Sequence, residues 1–113
     1  MSGVNPQFRA YVLELLAPLS PAARRMFRGV GIFSGGIMFA LLVRDTMYLR
    51  VDDTTRWRFE SAGSQPFSYA RRGQKVSLSG YYAVPGELFD QPDLLALWAR
   101  DAVAAARAAR RRQ

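Results

Sequence analysis

The 113-residue chain contains no cysteine and no histidine. The first absence excludes disulfides, thiol nucleophiles and thiolate metal sites. The second excludes imidazole ligands, Ser-His-Asp triads and any histidine proton relay. Acidic residues are few: nine Asp and Glu against sixteen Lys and Arg leave a net charge of +7. Lys75 is the single lysine, so the positive charge is almost all arginine. No apolar run approaches the ~20 residues that span a bilayer. The longest, residues 36–43, stops at Arg44 and Asp45 and has the length of a strand. Residues 1–6 have neither the basic nor the apolar region of a secretory signal. A cytoplasmic location without a membrane partner is therefore expected.

What remains suffices for one domain, 1–113. Half of the residues are hydrophobic, enough for a core and against disorder. Asn5-Pro6 couples an N-cap side chain to proline at the first helical position. Phe8, Tyr11, Val12, Leu15, Leu16 and Leu19 follow as one apolar stripe at helical spacing. These residues predict a leading helical segment over 1–23, with Ser20-Pro21 starting a further turn that reaches Arg24.

From residue 26 to 51 the period becomes two, which predicts strands. The first runs over 26–33, and Ser34-Gly35-Gly36 makes a hairpin turn. Residues 37–43 are apolar on both faces, with Ile37, Phe39, Leu41 and Val43 on one and Met38, Ala40 and Leu42 on the other; this marks a central strand. After a turn at 44–46, Met47, Leu49 and Val51 point inward while Tyr48 and Arg50 point away. Asp52-Asp53 can cap a short helix over 54–62, and Gly63 can end it. Strands follow over 67–71 and 75–84, the latter with Val76, Leu78 and Tyr82 on one face and a bulge at Gly80. Residues 87–89 make one helical turn. Asp90, with Asp93 three residues on, is placed as the cap of a long final helix that ends in alanine and arginine. The expected fold is α+β: an antiparallel sheet of about five strands packed with an N-terminal helix, a short middle helix and a long C-terminal helix.

Three basic clusters are the candidate anion or nucleic-acid sites. Arg25 and Arg28 follow Arg24 beside Gly29 and Gly31, where free backbone N–H groups and guanidinium groups could hold a phosphate. Arg71, Arg72 and Lys75 surround a glycine turn, with Tyr69 and Tyr81 near enough in sequence to add stacking surface if exposed. Arg107, Arg110, Arg111 and Arg112 lie in the basic tail, 107–113, and Arg100 stands seven residues before Arg107 on the same helical face. Each cluster has a plainer reading: charge that keeps an edge strand soluble, a solvated turn, and a solubilising terminus. Catalysis is not expected. Asp52 and Asp53 are adjacent and point apart on a helix, the serines lack a histidine base, and no glycine-rich nucleotide loop occurs. No cofactor and no metal are expected.

The stretch from Arg24 to about Arg107 resembles the N-terminal domain of the TfoX/Sxy family. The residues that carry the resemblance are Arg25-Met26-Phe27 with Gly29 and Gly31, the run Met38-Phe39-Ala40-Leu41, and Tyr48-Leu49-Arg50-Val51-Asp52. Phe59, Gly63, Pro66-Phe67, Tyr69, Tyr81-Tyr82, Val84-Pro85 and the helix with Leu95, Trp98 and Ala99 continue the series. Arg28 departs from it, standing where the family pattern usually has glycine. The resemblance implies a regulatory or adaptor domain linked to transcriptional control of competence and DNA uptake, with nucleic acid or a regulatory protein as partner. Longer family members carry a second domain, and this chain is read as a single-domain member. The alternative is a protein-interaction module, including a homodimer, with no nucleic-acid role.

Overall fold

The computed structural model describes residues 4–26 and 29–111. Helix α1 spans Pro6–Leu15, and the Asn5 side chain accepts from the Gln7 and Phe8 amides. A 3-10 turn over Ala17–Leu19 follows, and Ser20 ends it in the left-handed region with φ 51°. The expected further helical turn at 21–24 is absent. Those residues lead into β1, Ala22–Met26, which pairs antiparallel with β2, Gly29–Ser34. Here a row of ladder hydrogen bonds outweighs a weak local start signal. Of the strand expected over 26–33, residues 29–33 belong to β2 while Met26 ends the additional strand β1, so the sheet has six strands instead of about five.

Strand β3, Ile37–Val43, is central as expected, and β4 spans Thr46–Arg50. Helix α2, Arg56–Ser61, leads to β5, Pro66–Arg71, and β6, Gln74–Ala83. The sheet order is β1-β2-β3-β4-β6-β5, with every pairing antiparallel. Two-residue turns at Gly35-Gly36 and Arg72-Gly73 take positive φ at both positions, as the twist of a tight hairpin demands. A 3-10 segment over Gly86–Asp90 precedes helix α3, Pro92–Arg111. Asp90 therefore closes that 3-10 segment instead of capping α3; Pro92 opens the helix, where its missing N–H costs nothing. Among the described residues no helix is long and apolar enough to cross a membrane.

The C-terminal end of α2 matches its sequence signal, whereas the helix starts at Arg56, later than the expected 54, with Thr55 at its N-cap making no side-chain cap bond and Asp52 closing the turn before it. The Asp52 carboxylate accepts from the amides of Thr54 (2.9 Å) and Thr55 (3.1 Å), and the Asp52 amide donates back to the Thr55 hydroxyl (3.1 Å). This is the reciprocal geometry of a capping box. At the other end Gly63, φ 82°, donates to Glu60 while Ser64 donates to Phe59, which is the Schellman pattern. The hydrogen bond from the Thr54 hydroxyl, with further bonds from the amides and the Thr55 hydroxyl, holds the Asp52 carboxyl below its ordinary value. A lowered carboxyl pKa contributes stability that is complete above the unfolded value of about 4 and is lost as pH falls through the folded value. Asp52→Asn keeps an acceptor and removes the charge. The stability difference between wild type and Asp52→Asn, read by urea titration, should narrow as pH falls below about 4. A gap independent of pH would contradict this account.

The core lies on one face of the sheet. Val12, Leu16 and Leu19 from the N-terminal segment, Phe59 from α2, and Leu95, Ala99 and Ala102 from α3 pack against Ile32, Leu42, Met47 and Leu49. Most of the stripe on α1 is thereby spent on the protein's own core, while Tyr11 stays exposed. Arg58 joins α2 to α3: its guanidinium lies 4.9 Å over the Trp98 ring and pairs with Asp101 at 2.7 Å.

Candidate nucleic-acid interface

The six strands contain no Asp or Glu, whereas they carry Arg24, Arg25, Arg50, Arg71 and Lys75. Every acidic side chain of the chain lies on a helix or a connection. Ion pairing does little to offset the excess. Among the described residues, only Arg56, with Asp53 at 2.9 Å, and Arg58 are paired.

The helices occupy one face of this sheet and leave the other uncovered. In β4, Met47 and Leu49 enter the core, so alternation sends Tyr48 and Arg50 to the uncovered face. Tyr48 meets Phe67 edge-on at 5.1 Å, and Phe67 stacks against Tyr69 at 5.9 Å. Residues two apart on a strand share a face, so Phe67, Tyr69 and Arg71 form one row along β5. Tyr69 is 39 % exposed and Leu78, opposite Phe67, is 41 % exposed. At the far edge Arg24 lies 5.0 Å over the ring of Phe33 on the same face.

Two bulges set this face. In β2–β3 the register shifts between Ile32 and Phe33. Phe39 and Ala40 consequently both enter the core, and Met38 joins Leu41 on the uncovered side, whereas simple alternation places Phe39 with Leu41. In β5–β6, Tyr82 pairs with Pro66 while Leu78 pairs with Phe67, so residues 79–81 loop out of the ladder. The bulge expected at Gly80 is present. It separates Leu78 and Val76 from the face of Tyr82, contrary to the alternating assignment, and turns them to the side of Phe67 and Tyr69.

Gly80 also makes room for Arg50. A Cβ there would sit 3.3 Å from the guanidinium carbon. The guanidinium lies 5.5 Å over the Tyr81 ring, and its Nε is buried with no hydrogen-bond partner among the described residues. Arg50 opens onto a cleft of about 840 Å³ that Asp52, Asp53, Arg56, Ser77 and Ser79 also line. The two carboxylates there are already engaged, Asp52 by threonines and Asp53 by Arg56. Burial raises the Tyr48 and Tyr81 phenols above their ordinary value.

The structure distributes the sequence-predicted residues unevenly. Arg24 and Arg25 are both exposed but point to opposite sides of β1; Arg28 lies outside the described residues. Arg71, Arg72 and Lys75 are exposed together at the hairpin tip, with Tyr69 beside them on the row and Tyr81 buried at 8 % exposure. Strands β1 and β5 are opposite edges of the sheet, roughly 24 Å apart at ~4.8 Å per strand. Arg100 and Arg107 line one shallow groove with Leu19 and Ser34, as their spacing predicts. Arg107 reaches the β2–β3 turn, 3.5 Å from where a Cβ of Gly35 would stand. Arg110 and Arg111 are exposed at the end of α3, and Arg112 lies outside the described residues. The candidate bases therefore belong to several surfaces. Arg50, Tyr48 and Phe67, which sequence reading did not place in a site, belong to the uncovered face; the alternation of β4 was the available signal.

Residues 14–106 match the family model described as the TfoX N-terminal domain. No curated protein matches the chain.

Proposed function

Because the chain belongs to the TfoX N-terminal domain family, we propose that it is a non-enzymatic regulatory domain that acts by contact with nucleic acid, in transcriptional control of competence and DNA uptake. The observation that carries the nucleic-acid part is the unspent positive charge: an acid-free sheet, with ion pairs only at Arg56 and Arg58 among the described residues. Unpaired guanidinium groups attract a polyanion over a Debye length and release its counterions on contact. Such contacts give affinity without reading bases. Sequence selection therefore comes from a partner or from another surface of the same domain.

Salt-dependent binding tests this reading. The purified chain should bind a short DNA duplex at low salt, with log K falling linearly against log salt. Deleting residues 107–113 removes Arg107, Arg110, Arg111 and Arg112. The deletion should weaken binding and flatten the slope by about 0.9 for each phosphate that is no longer neutralised. Unchanged affinity and slope would show that the tail takes no part. No binding of any nucleic acid at low salt would remove the reading, and a protein-interaction role would stand in its place.

A further inference from the structure

We propose that the uncovered sheet face is a stacking platform for single-stranded nucleic acid, with bases on Tyr69 and Phe67 and the backbone held by Arg50 and Arg71. This rests on the nucleic-acid reading above and adds the strand class and the surface.

Three observations converge on one side of the sheet. The first is aromatic and apolar surface left in water: Tyr69 and Leu78 are each about two-fifths exposed, Tyr69 stacks on Phe67, and Phe67 meets Tyr48 edge-on. A stacked pair already in place costs little ordering when a base adds to it. The second is charge. The row along β5 continues from Tyr69 into Arg71, and Arg50 follows Tyr48 on β4. No strand contributes a carboxylate to oppose a phosphate. The third is Arg50 itself, whose guanidinium lies 5.5 Å over the Tyr81 ring beside Gly80, has a buried Nε without a partner among the described residues, and opens onto the adjoining cleft.

These features select a single strand over a duplex. A duplex hides its base faces in its own stack and offers phosphates only. An unpaired strand offers alternating π faces and phosphates, which is the chemistry an aromatic sheet face with interleaved arginine accepts. The same features disfavour another copy of this chain as the occupant, because its strands would set arginine against arginine with no strand carboxylate between them.

Fluorescence anisotropy with labelled (dT)12, (U)12 and a 12-bp duplex tests the proposal. Tyr69 is exposed, so Tyr69→Ala should leave thermal stability close to wild type. It should weaken (dT)12 binding about tenfold while duplex binding changes less than about twofold. Tyr69→Phe keeps the π face and should restore the single-strand affinity. Arg50→Met should weaken the same probe and reduce its salt slope by about 0.7. Comparison of (dT)12 with (U)12 separates DNA from RNA as the preferred source. Equal single-strand affinity for wild type and Tyr69→Ala would overturn the platform, even where deletion of 107–113 still weakened every probe and so left the broader reading intact. Failure of all three probes to bind at low salt would overturn both. A dimer in sedimentation that Tyr69→Ala dissolves, with (dT)12 binding unaltered, would assign the face to self-association instead.

Discussion

Phe59→Ala should lower the unfolding free energy by about 4 kcal/mol and the melting temperature by roughly 20 °C. Phe59 is 2 % exposed and sits where three elements meet. Its ring stands edge-on to Trp98 of α3 at 4.8 Å and tilted to Tyr82 of β6 at 6.1 Å. α2 is only six residues long, too short to be helical without tertiary support. Truncation therefore leaves a cavity and also removes the anchor of α2, whose Glu60 accepts from the Tyr82 hydroxyl at 2.8 Å. Trp57, two residues earlier and 64 % exposed, is the control. Trp57→Ala should stay within about 0.5 kcal/mol of wild type. Equal effects at the two positions would show that α2 does not hold the core in the manner described.

Gly29→Ala should cost about 3 kcal/mol, and Gly31→Ala distinctly less. The difference lies in what a new methyl group meets. At Gly29 it would stand 2.3 Å from the carbonyl oxygen of Leu42, a backbone atom in the central strand that cannot move without disturbing two ladders. At Gly31 it would stand 2.6 Å from the sulfur of Met26 and 2.8 Å from that of Met38. Both sulfurs are near the ends of flexible side chains on the uncovered face, and methionine yields to a new contact more easily than backbone does. Chemical denaturation of the two variants side by side would decide the matter. A Gly31→Ala variant less stable than Gly29→Ala would mean that the uncovered face is as tightly packed as the core.

The two glycines also show how far the sequence could be read. Glycine in a strand signals a close approach, which comes from backbone at Gly29, 2.3 Å away, and from side chains at Gly31, the nearest 2.6 Å away. It could not say which neighbour comes close, because the partners, Leu42 and Met38, lie across a ladder. Asp52, Gly63 and the Gly35-Gly36 turn were legible for the opposite reason: each acts on backbone groups within a few residues. The misreadings share one cause. Ser20-Pro21 resembles a helix start locally, yet the pairing of Ala22 with Phe33 makes the following residues a strand. Alternation assigned Phe39 and Leu78 to the wrong companions because a bulge inserts residues that a period of two does not count. For the candidate site, the tip residues Arg71, Arg72 and Lys75 and the pairing of Arg100 with Arg107 followed from local spacing. The cluster of Tyr48, Phe67 and Tyr69 did not, since it joins strands that lie far apart in the chain, with α2 between them.

The sequence by itself determined the α+β class, the helical and strand periods, the Asn5 cap and the Gly63 stop, the glycine hairpin turns, the net positive charge and the family. All of these depend on composition or on neighbours within a turn or two of chain. Only the tertiary structure decided that six strands share one sheet, that the helices all take one side of it, and that the strands' lack of acid therefore becomes a basic, aromatic face open to water. Long-range pairing settles such questions: which residues lie across a ladder is a property of register, and register is chosen by the whole core at once.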